Sequence, residues 1–384
     1  MRGGLKLNLL ALFITFMGFP PAIGGEMHFF VIGAFVQPVH MMDLWKTRGI
    51  NTLVGVPEGH DSELWSAEAV ARDLYMIRSP APDAATDTKE DHLLAWLHFD
   101  EPSNVAADAP GVDIEHVAVT PAEIDDVARA WRLAGGEGRT IPLFLNLTGA
   151  HVNDAWINAP LMADYVDGNS TDMVAHDYYT INIGAPMLYE LDGYTTTRQG
   201  RAIDRLSEWS GGKPQFVFIE SSDYDRNGSV PTAGEMRAQI WSSIIHGAVG
   251  IIYFPVAFQP WSFDETPDEL LTEMSTTHAM IDELEGVILD PATGQPNGTL
   301  HRMAPQGVVP EPGMMPYPFE ARSYQTPHGQ FQIILNLSPD GLAVLKDPSG
   351  SAPGLEFGPY EIKVGYWGPN GFQESLDPAL PLAE

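Results

Sequence analysis

The chain has 384 residues, and its apolar fraction of 44% and charged fraction of 18% are typical of a globular protein. That length accommodates a barrel of about 250 residues together with a smaller domain. The net charge of −31 excludes nucleic acid as a partner, because a phosphate backbone is bound by clustered Lys and Arg and no such cluster is visible. Without cysteine, the chain has neither a disulfide nor a thiolate metal site.

The first 25 residues have the features of a secretory signal peptide. Arg2 and Lys6 supply positive charge, residues 9–19 are apolar, and small residues follow at 22–25. The alternative is an uncleaved membrane anchor, but the apolar stretch is short for a membrane span. We therefore expect a secreted or periplasmic protein with no membrane span in the mature chain.

Apolar strand-like runs alternate with helical segments through residues 26–290. The predicted strands are 29–36, 50–56, 74–77, 93–100, 141–146, 173–179, 215–220 and 250–254. Capping boxes that begin at Thr120, Thr232 and Thr266 mark the starts of three of the intervening helices. Eight strands with helical crossovers predict an α/β fold, the (β/α)8 TIM barrel. The alternative is an open doubly wound sheet, but its Gly-rich phosphate turn is missing after the first strand.

Residues 291–384 differ in composition and hydrophobic pattern from the rest of the chain. They are rich in Pro and Gly, and short alternating runs at 331–337 and 359–366 predict strands. We expect a small all-β, sandwich-like C-terminal domain. Its expected role is structural rather than independent ligand binding.

Two predicted strands end in carboxylates. The apolar run 93–100 is followed directly by Glu101 and Pro102, and the run 215–220 ends in Glu220. The carboxyl ends of barrel strands carry the chemistry in barrel enzymes, so these two carboxylates could face one cleft.

With glutamates after strands four and seven, the sequence resembles the clan A retaining glycoside hydrolases. The resemblance implies that Glu101 is the acid/base that protonates the leaving-group oxygen and that Glu220 is the nucleophile that attacks the anomeric carbon. A β-linked poly- or oligosaccharide would then be cleaved by double displacement, without a cofactor. This chemistry needs one carboxyl group that is protonated near neutral pH and one that is ionised.

The sequence departs from this family at Asp100, where most members carry an Asn that binds the sugar 2-hydroxyl. The charge of Asp100 would raise the pKa of the neighbouring Glu101. The resemblance also implies that Trp261 floors the sugar site and that Tyr178 or Tyr179 contacts the nucleophile. The full set of expected substrate contacts is His98, Asp100, Asn146, Asp177, Tyr178, Tyr179 and Trp261.

Two alternatives remain open at this point. Barrels exist in which aspartates after strands four and six do the work, so Asp100 and Asp177 form a second candidate pair. A carboxylate at a strand end can also simply cap the following loop. In that case the chain could be a non-catalytic carbohydrate-binding barrel in which Asp100 marks lost activity.

A polar loop after Glu220 matches the first half of an EF-hand calcium loop at Asp223, Asp225 and Asn227. The twelfth position should supply a bidentate Glu, but Gly234 stands there. We therefore prefer a polar loop beside the active site to a calcium site. No cofactor and no other metal are expected.

Overall fold

A computed structural model describes residues 28–104, 117–136, 138, 140–153, 159–182, 197–303, 319–327, 329–339, 343–345, 354–368 and 370–378. The predicted signal peptide, residues 1–25, lies outside the described residues. Within the described part of the chain, no helix is both long enough and apolar enough to cross a membrane.

Eight parallel strands form a closed barrel, as the sequence predicts. They are β1 (Val31–Phe35), β2 (Thr52–Val54), β3 (Tyr75–Arg78), β4 (Leu93–Asp100), β5 (Leu143–Thr148), β6 (Met173–Asp177), β7 (Gln215–Glu220) and β8 (Ala248–Phe254). The barrel closes where β1 pairs with β8, with Val31 opposite Gly250. All eight carboxyl ends therefore meet at one face of the barrel.

The described helices connect these strands. After a 3-10 turn (Val39–Met41) they are α1 (Met42–Thr47), α2 (Ser62–Ala71), α3 (Ala84–Asp87), α4 (Pro121–Gly135), α5 (Gly149–Asn153), α6 (Ala159–Val166), α7 (Thr197–Ser210), α8 (Ala233–His246) and α9 (Asp268–Ile288). Thr120 and Thr232 form the predicted capping boxes, each accepting a hydrogen bond from the backbone of a Glu three residues later.

The capping box predicted at Thr266 is wrong. Helix α9 has Pro267 as its N-cap residue, without a side-chain cap hydrogen bond. The amide of Thr266 donates instead to the Asp264 carboxylate, 3.2 Å away. The chain therefore turns before the helix, and α9 begins one residue later than the box required.

Aromatic side chains fill the barrel interior and reach its carboxyl ends, where Phe35 is the last residue of β1. The rings of Phe144 and Phe216 lie 5.1 Å apart, and those of Phe35 and Phe218 lie 5.2 Å apart. Gly250 makes room for Phe216, since a Cβ atom there would come within 2.6 Å of its ring. Each buried Phe contributes roughly 1.5–3 kcal/mol of hydrophobic stabilisation. The layer forms a packed floor for the groups above it.

The C-terminal region forms an antiparallel sheet of five strands, β9 (Thr299–Met303), β10 (Phe319–Thr326), β11 (Gly329–Asn336), β14 (Ile362–Gly368) and β15 (Gly371–Glu374). They lie in the order β15-β14-β11-β10-β9. A separate pair comprises β12 (Ala343–Leu345) and β13 (Leu355–Phe357). The sheet packs on α8, where Ser242 donates to Glu320 and Arg322 donates to the Ile245 carbonyl oxygen, each at 2.8 Å. These contacts join an all-β region to the barrel.

Candidate active site

A cavity of about 380 Å³ lies at the carboxyl ends of the barrel strands. Its size falls within the range of small-molecule sites. Residues from β1, β4, β5, β6, β8 and the loops that follow the strands line it: Phe35, Asp100, Glu101, Thr148, Ala150, Asp177, Tyr178, Tyr179, Tyr224, Phe254, Phe258 and Trp261.

The end of β4 has an irregular backbone that shapes this cavity. The pairing of β4 with β5 shifts register between Leu97 and Asp100, and Glu101 has a φ of 47°, in the left-handed region. Such a conformation costs about 1–3 kcal/mol for a residue with a side chain. Consecutive residues of a regular strand point to opposite faces. Here the irregularity allows both Asp100 and Glu101 to line the cavity.

Three carboxyl groups converge at this point. The carboxyl groups of Glu101 and Asp177 both line the cavity, and they are close enough for each to change the pKa of the other. Asp100 accepts a hydrogen bond of 2.9 Å from Nδ2 of Asn146. The side chain of Asn104 donates to Oε2 of Glu101 at 3.3 Å.

The surroundings of this cluster favour protonated carboxyl groups. Burial raises the pKa of Glu101, its interaction with Asp177 lowers that pKa, and the charge of Asp100 raises it further. Burial and the charges of Glu101 and Asp100 raise the pKa of Asp177 well above its usual range. Asp100 is exposed to the cavity, yet the enclosing protein raises its pKa too. The cluster can thus supply a proton near neutral pH.

Aromatic rings form the walls of the cavity. The Tyr179 ring lies 5.1 Å from that of Tyr224 and 4.9 Å from that of Phe254. At the rim, Phe258 stacks on Trp261 with 5.6 Å between ring centres, and Trp261 keeps 51% of its surface exposed. An exposed ring of this kind offers a flat apolar surface to a ligand.

Glu220 is placed differently from Glu101. Its side chain is 1% exposed and is not among the residues that line the cavity. Both of its carboxylate oxygens accept from the amide of Ile181, at 2.9 and 3.1 Å. Burial raises its pKa to about 8 even though these amide bonds favour the ionised form.

Tyr224 lies near both the carboxyl cluster in the cavity and the buried Glu220. Burial raises the pKa of this cavity-lining tyrosine, and the charges of Glu220 and Glu101 both contribute to the increase. The structure therefore brings Glu101 together with Asp100 and Asp177, whereas Glu220 lies near the same tyrosine but outside the cavity lining.

The other predicted sugar contacts are placed as follows. Trp261, Tyr178 and Tyr179 line the cavity. The hydroxyl group of Tyr178 accepts from Arg198 at 2.7 Å, and the residue is only 1% exposed. Asn146 is 1% exposed and contacts the cluster through Asp100 rather than lining the cavity itself.

His98 faces away from the cavity. Its ring stacks on Trp131 at 4.8 Å, and its Nε2 donates to the Ser170 carbonyl oxygen at 3.0 Å. Burial lowers its pKa to about 4, so the ring is neutral near pH 7. His98 is not among the residues that line the cavity, because this position of β4 points towards α4.

The loop considered for calcium is held by its own hydrogen bonds. The two carboxylate oxygens of Asp223 accept from the amides of Asn227 and Gly228, at 2.9 and 2.8 Å. Nδ2 of Asn227 donates to the Asn182 carbonyl oxygen at 2.9 Å. In the described ranges, no group of three or more Cys, His, Asp or Glu side chains has an arrangement that could hold a metal.

Several cavity residues were not predicted from the sequence: Phe35, Thr148, Ala150, Tyr224, Phe254 and Phe258. Phe35 ends β1, Thr148 ends β5 and Phe254 ends β8. The rule that selected Glu101, a position at the carboxyl end of a barrel strand, would have identified these three.

Comparisons with known proteins give distant similarities. No protein-family profile matches the chain, and no curated protein sequence matches it. Among solved structures, it resembles AbfB, a family 51 alpha-L-arabinofuranosidase from Bifidobacterium longum, with 11% identity, a TM-score of 0.45, and coverage of 90% of this chain and 91% of that one. It also resembles a GH5_18 protein from Bifidobacterium longum subsp. infantis, with 9% identity, a TM-score of 0.46, and coverage of 66% and 79%.

A third similar structure is the beta-galactosidase from the Antarctic haloarchaeon Halorubrum lacusprofundi. The identity is 12%, the TM-score is 0.45, and the match covers 67% of this chain and 59% of that one. Several of the solved structures that this chain resembles are thus glycoside hydrolases. The similarities are too distant to assign the chain to a family.

Proposed function

We propose that this chain is a secreted glycoside hydrolase that cleaves a β-linked poly- or oligosaccharide in the cavity, with Glu101 as the acid/base. The observation that carries this proposal is the convergence of Asp100, Glu101 and Asp177 in an aromatic-lined cavity at the carboxyl ends of the barrel strands. Burial keeps a proton available for the leaving-group oxygen. The aromatic walls offer stacking surfaces for sugar rings.

The carboxyl groups of Glu101 and Asp177 interact, and burial raises the pKa of both. Two carboxyl groups that flank a glycosidic bond lie about 5–5.5 Å apart in retaining enzymes and roughly 6.5–9.5 Å apart in inverting ones. We assign to Glu101 the proton that the leaving-group oxygen receives. The pKa of Asp177 is raised well above its usual range, so we do not assign Asp177 the role of the ionised carboxylate.

The second carboxylate then has to come from elsewhere, and we assign this role to Glu220. It ends β7, and like Glu101 it is close enough to Tyr224 to raise the pKa of that tyrosine. A carboxylate can accept about four hydrogen bonds. One Glu220 oxygen can thus keep its hydrogen bond from the Ile181 amide while the other oxygen attacks the anomeric carbon. The result is double displacement with retention of configuration and without a cofactor.

A second candidate pair is Asp100 and Asp177. The observation that favours it is that both residues line the cavity, whereas Glu220 does not. In this pair Asp177, whose pKa is raised most strongly, would be the acid. Asp100, which is exposed and accepts from Asn146, would be the ionised carboxylate.

Azide rescue separates the two assignments. The variants E101Q, E220Q, D100N and D177N are assayed on a panel of 2,4-dinitrophenyl glycosides with and without azide, and the products are identified by NMR. Our proposal predicts that azide restores the activity of E220Q and that the product is a glycosyl azide of inverted configuration. Azide should also restore the activity of E101Q, and there the glycosyl azide should have the retained configuration. E208Q, which removes an exposed carboxylate on α7, is the matched control.

Two outcomes would overturn the assignment. Full activity in E220Q together with inactive D100N and D177N would establish the aspartate pair. A folded parent chain that binds carbohydrate but turns over none of the panel would establish a non-catalytic barrel.

A further inference from the structure

The cavity has an unbalanced charge. Three of its twelve lining residues are Asp100, Glu101 and Asp177, and none of the twelve is Lys, Arg or His. Asp100 is the carboxylate of the cluster that is exposed to the cavity, and no Lys, Arg or His among the lining residues offsets its charge.

Unused hydrogen-bond acceptors lie beside this charge. Asn146 is 1% exposed and its Nδ2 donates to Asp100, but its Oδ1 has no hydrogen-bond partner among the described residues. The same holds for Oδ1 of Asp177. A buried acceptor without a donor costs about 1–3 kcal/mol. A ligand that brings N–H donors to Asp177, which lines the cavity, would remove that cost there.

The walls suit a cation as well. Ring faces carry negative charge density and attract a cation within about 6 Å of the ring centre. The cavity presents tyrosine, phenylalanine and tryptophan rings around the carboxyl cluster: Phe35, Tyr178, Tyr179, Tyr224, Phe254, Phe258 and Trp261. Carboxylates, unpaired acceptors and aromatic faces together match an ammonium group, which is a cation with three N–H donors and no acceptor.

We propose that the sugar bound beside Asp100 carries a protonated amine, so that the substrate class is a glycoside of a 2-amino-2-deoxy sugar. This inference rests on the proposed glycosidase function. Asp100 directly precedes Glu101, the acid at the scissile bond, so the recognised charge lies close to that bond. The sugar substituent nearest to the anomeric carbon is the one on C2. A charge-assisted hydrogen bond from a C2 ammonium group to Asp100 accounts for an aspartate at this position.

Paired substrates test the inference. The kcat/KM for 4-nitrophenyl 2-amino-2-deoxy-β-D-glucopyranoside is compared with that for 4-nitrophenyl β-D-glucopyranoside, at a pH at which the amine is protonated. We expect a preference of at least about tenfold for the amino sugar, the effect of one charge-assisted hydrogen bond. D100N should reduce this ratio to near one. D91N, which removes an exposed carboxylate before the start of β4, should leave it unchanged.

A binding measurement keeps the two proposals distinguishable. Calorimetry on E220Q, in which the cluster is intact, compares a β-1,4-linked glucosamine trimer with cellotriose. Tighter binding of the glucosamine trimer, lost in the E220Q/D100N double variant, supports the inference. Equal or tighter binding of cellotriose overturns it. If wild type cleaves the neutral glucoside without preferring the amine, this inference alone fails, and if it cleaves no glycoside, the proposed function fails.

Discussion

The carboxyl groups of Glu101 and Asp177 lie close together at the carboxyl ends of β4 and β6, and each changes the pKa of the other. Two carboxylates this close cannot both ionise easily, so the pair retains a proton over a wide pH range. Asp100, the third member of the cluster, adds negative charge beside the pair. The pair is therefore the proton source for the proposed reaction, and its environment sets the pH dependence of that reaction.

Substitution of Asp100 should change the basic limb of the pH profile. The charge of Asp100 raises the pKa of Glu101, so D100N should lower that pKa. A general acid with a lower pKa loses its proton at lower pH, and the high-pH limb of kcat/KM should move towards lower pH. The measurement is the pH profile of kcat/KM on a neutral aryl glycoside, with D91N as the control. An unmoved limb in D100N would show that Asp100 does not influence the acid.

Glu220 should set the acidic limb. A nucleophile must be ionised, and burial raises the pKa of Glu220 to about 8. The fraction of ionised Glu220, and with it kcat/KM, should therefore fall as the pH drops below about 8. Steady-state kinetics between pH 5 and 10 with a 2,4-dinitrophenyl glycoside, whose departure needs no proton, isolate this limb. A rate that stays constant from pH 8 to pH 5 would argue against Glu220 as the nucleophile.

Removal of the exposed aromatic ring at the cavity rim should weaken substrate binding more than it slows the chemical step. Trp261 is 51% exposed and stacks on Phe258 at the cavity rim. W261A should raise KM by about two- to twelvefold with little change in kcat, because stacking on an aromatic face contributes roughly 0.5–1.5 kcal/mol. L133A, which removes an 82% exposed side chain on α4, is the matched control. A large loss in kcat with an unchanged KM would contradict a role in substrate binding.

His246 should make stability depend on pH. It lies between Asp204, 2.8 Å from its Nδ1, and Glu320, 3.2 Å from its Nε2, where α8 meets the C-terminal sheet. Burial alone would lower the pKa of His246, but the charge of Glu320 and the hydrogen bond with Asp204 raise it from 6.5 to about 9. This stabilisation is fully present below pH 6.5 and is lost as the pH rises through 9. It amounts to roughly 3 kcal/mol.

Denaturant unfolding of wild type and H246Q at pH 6, 8 and 10 tests this expectation. The difference in the free energy of unfolding between the two proteins should be largest at pH 6 and should shrink towards pH 10. H60Q, at an exposed histidine, is the control. A difference that is the same at all three values would show that His246 is not protonated in the folded protein.

Hydrophobic pattern was sufficient to predict the barrel. The bounds predicted for β4 and β7 from continuous apolar runs agree with the observed ones. Strands buried on both faces contain few polar residues, so the ends of such runs are easy to locate. Two capping boxes were also predicted correctly, since each depends only on residues three positions apart. The third failed at Thr266 because Asp264, outside the motif, binds the Thr266 amide.

The site was predicted less completely, for reasons of geometry. Strand positions identified Glu101 and Asp177, but the placement of Glu101 in the cavity depends on the register shift after Leu97 and on its left-handed backbone, which no local pattern reveals. Alternation along β4 explains the orientation of His98, yet its direction is set by packing on Trp131. The burial of Glu220 beneath the Ile181 amide depends on a contact between residues 39 positions apart in the chain.

The leaving-group dependence of E101Q tests most directly whether Glu101 is the acid. If Glu101 protonates the departing oxygen, E101Q should lower kcat/KM by about 10²–10⁴ for a phenyl glycoside, whose leaving group needs the proton. It should lower kcat/KM far less for the 2,4-dinitrophenyl glycoside, while E208Q behaves as wild type with both and thermal unfolding confirms that each variant is folded. An equal loss with both leaving groups, or no loss with either, would contradict the assignment of Glu101 as the acid.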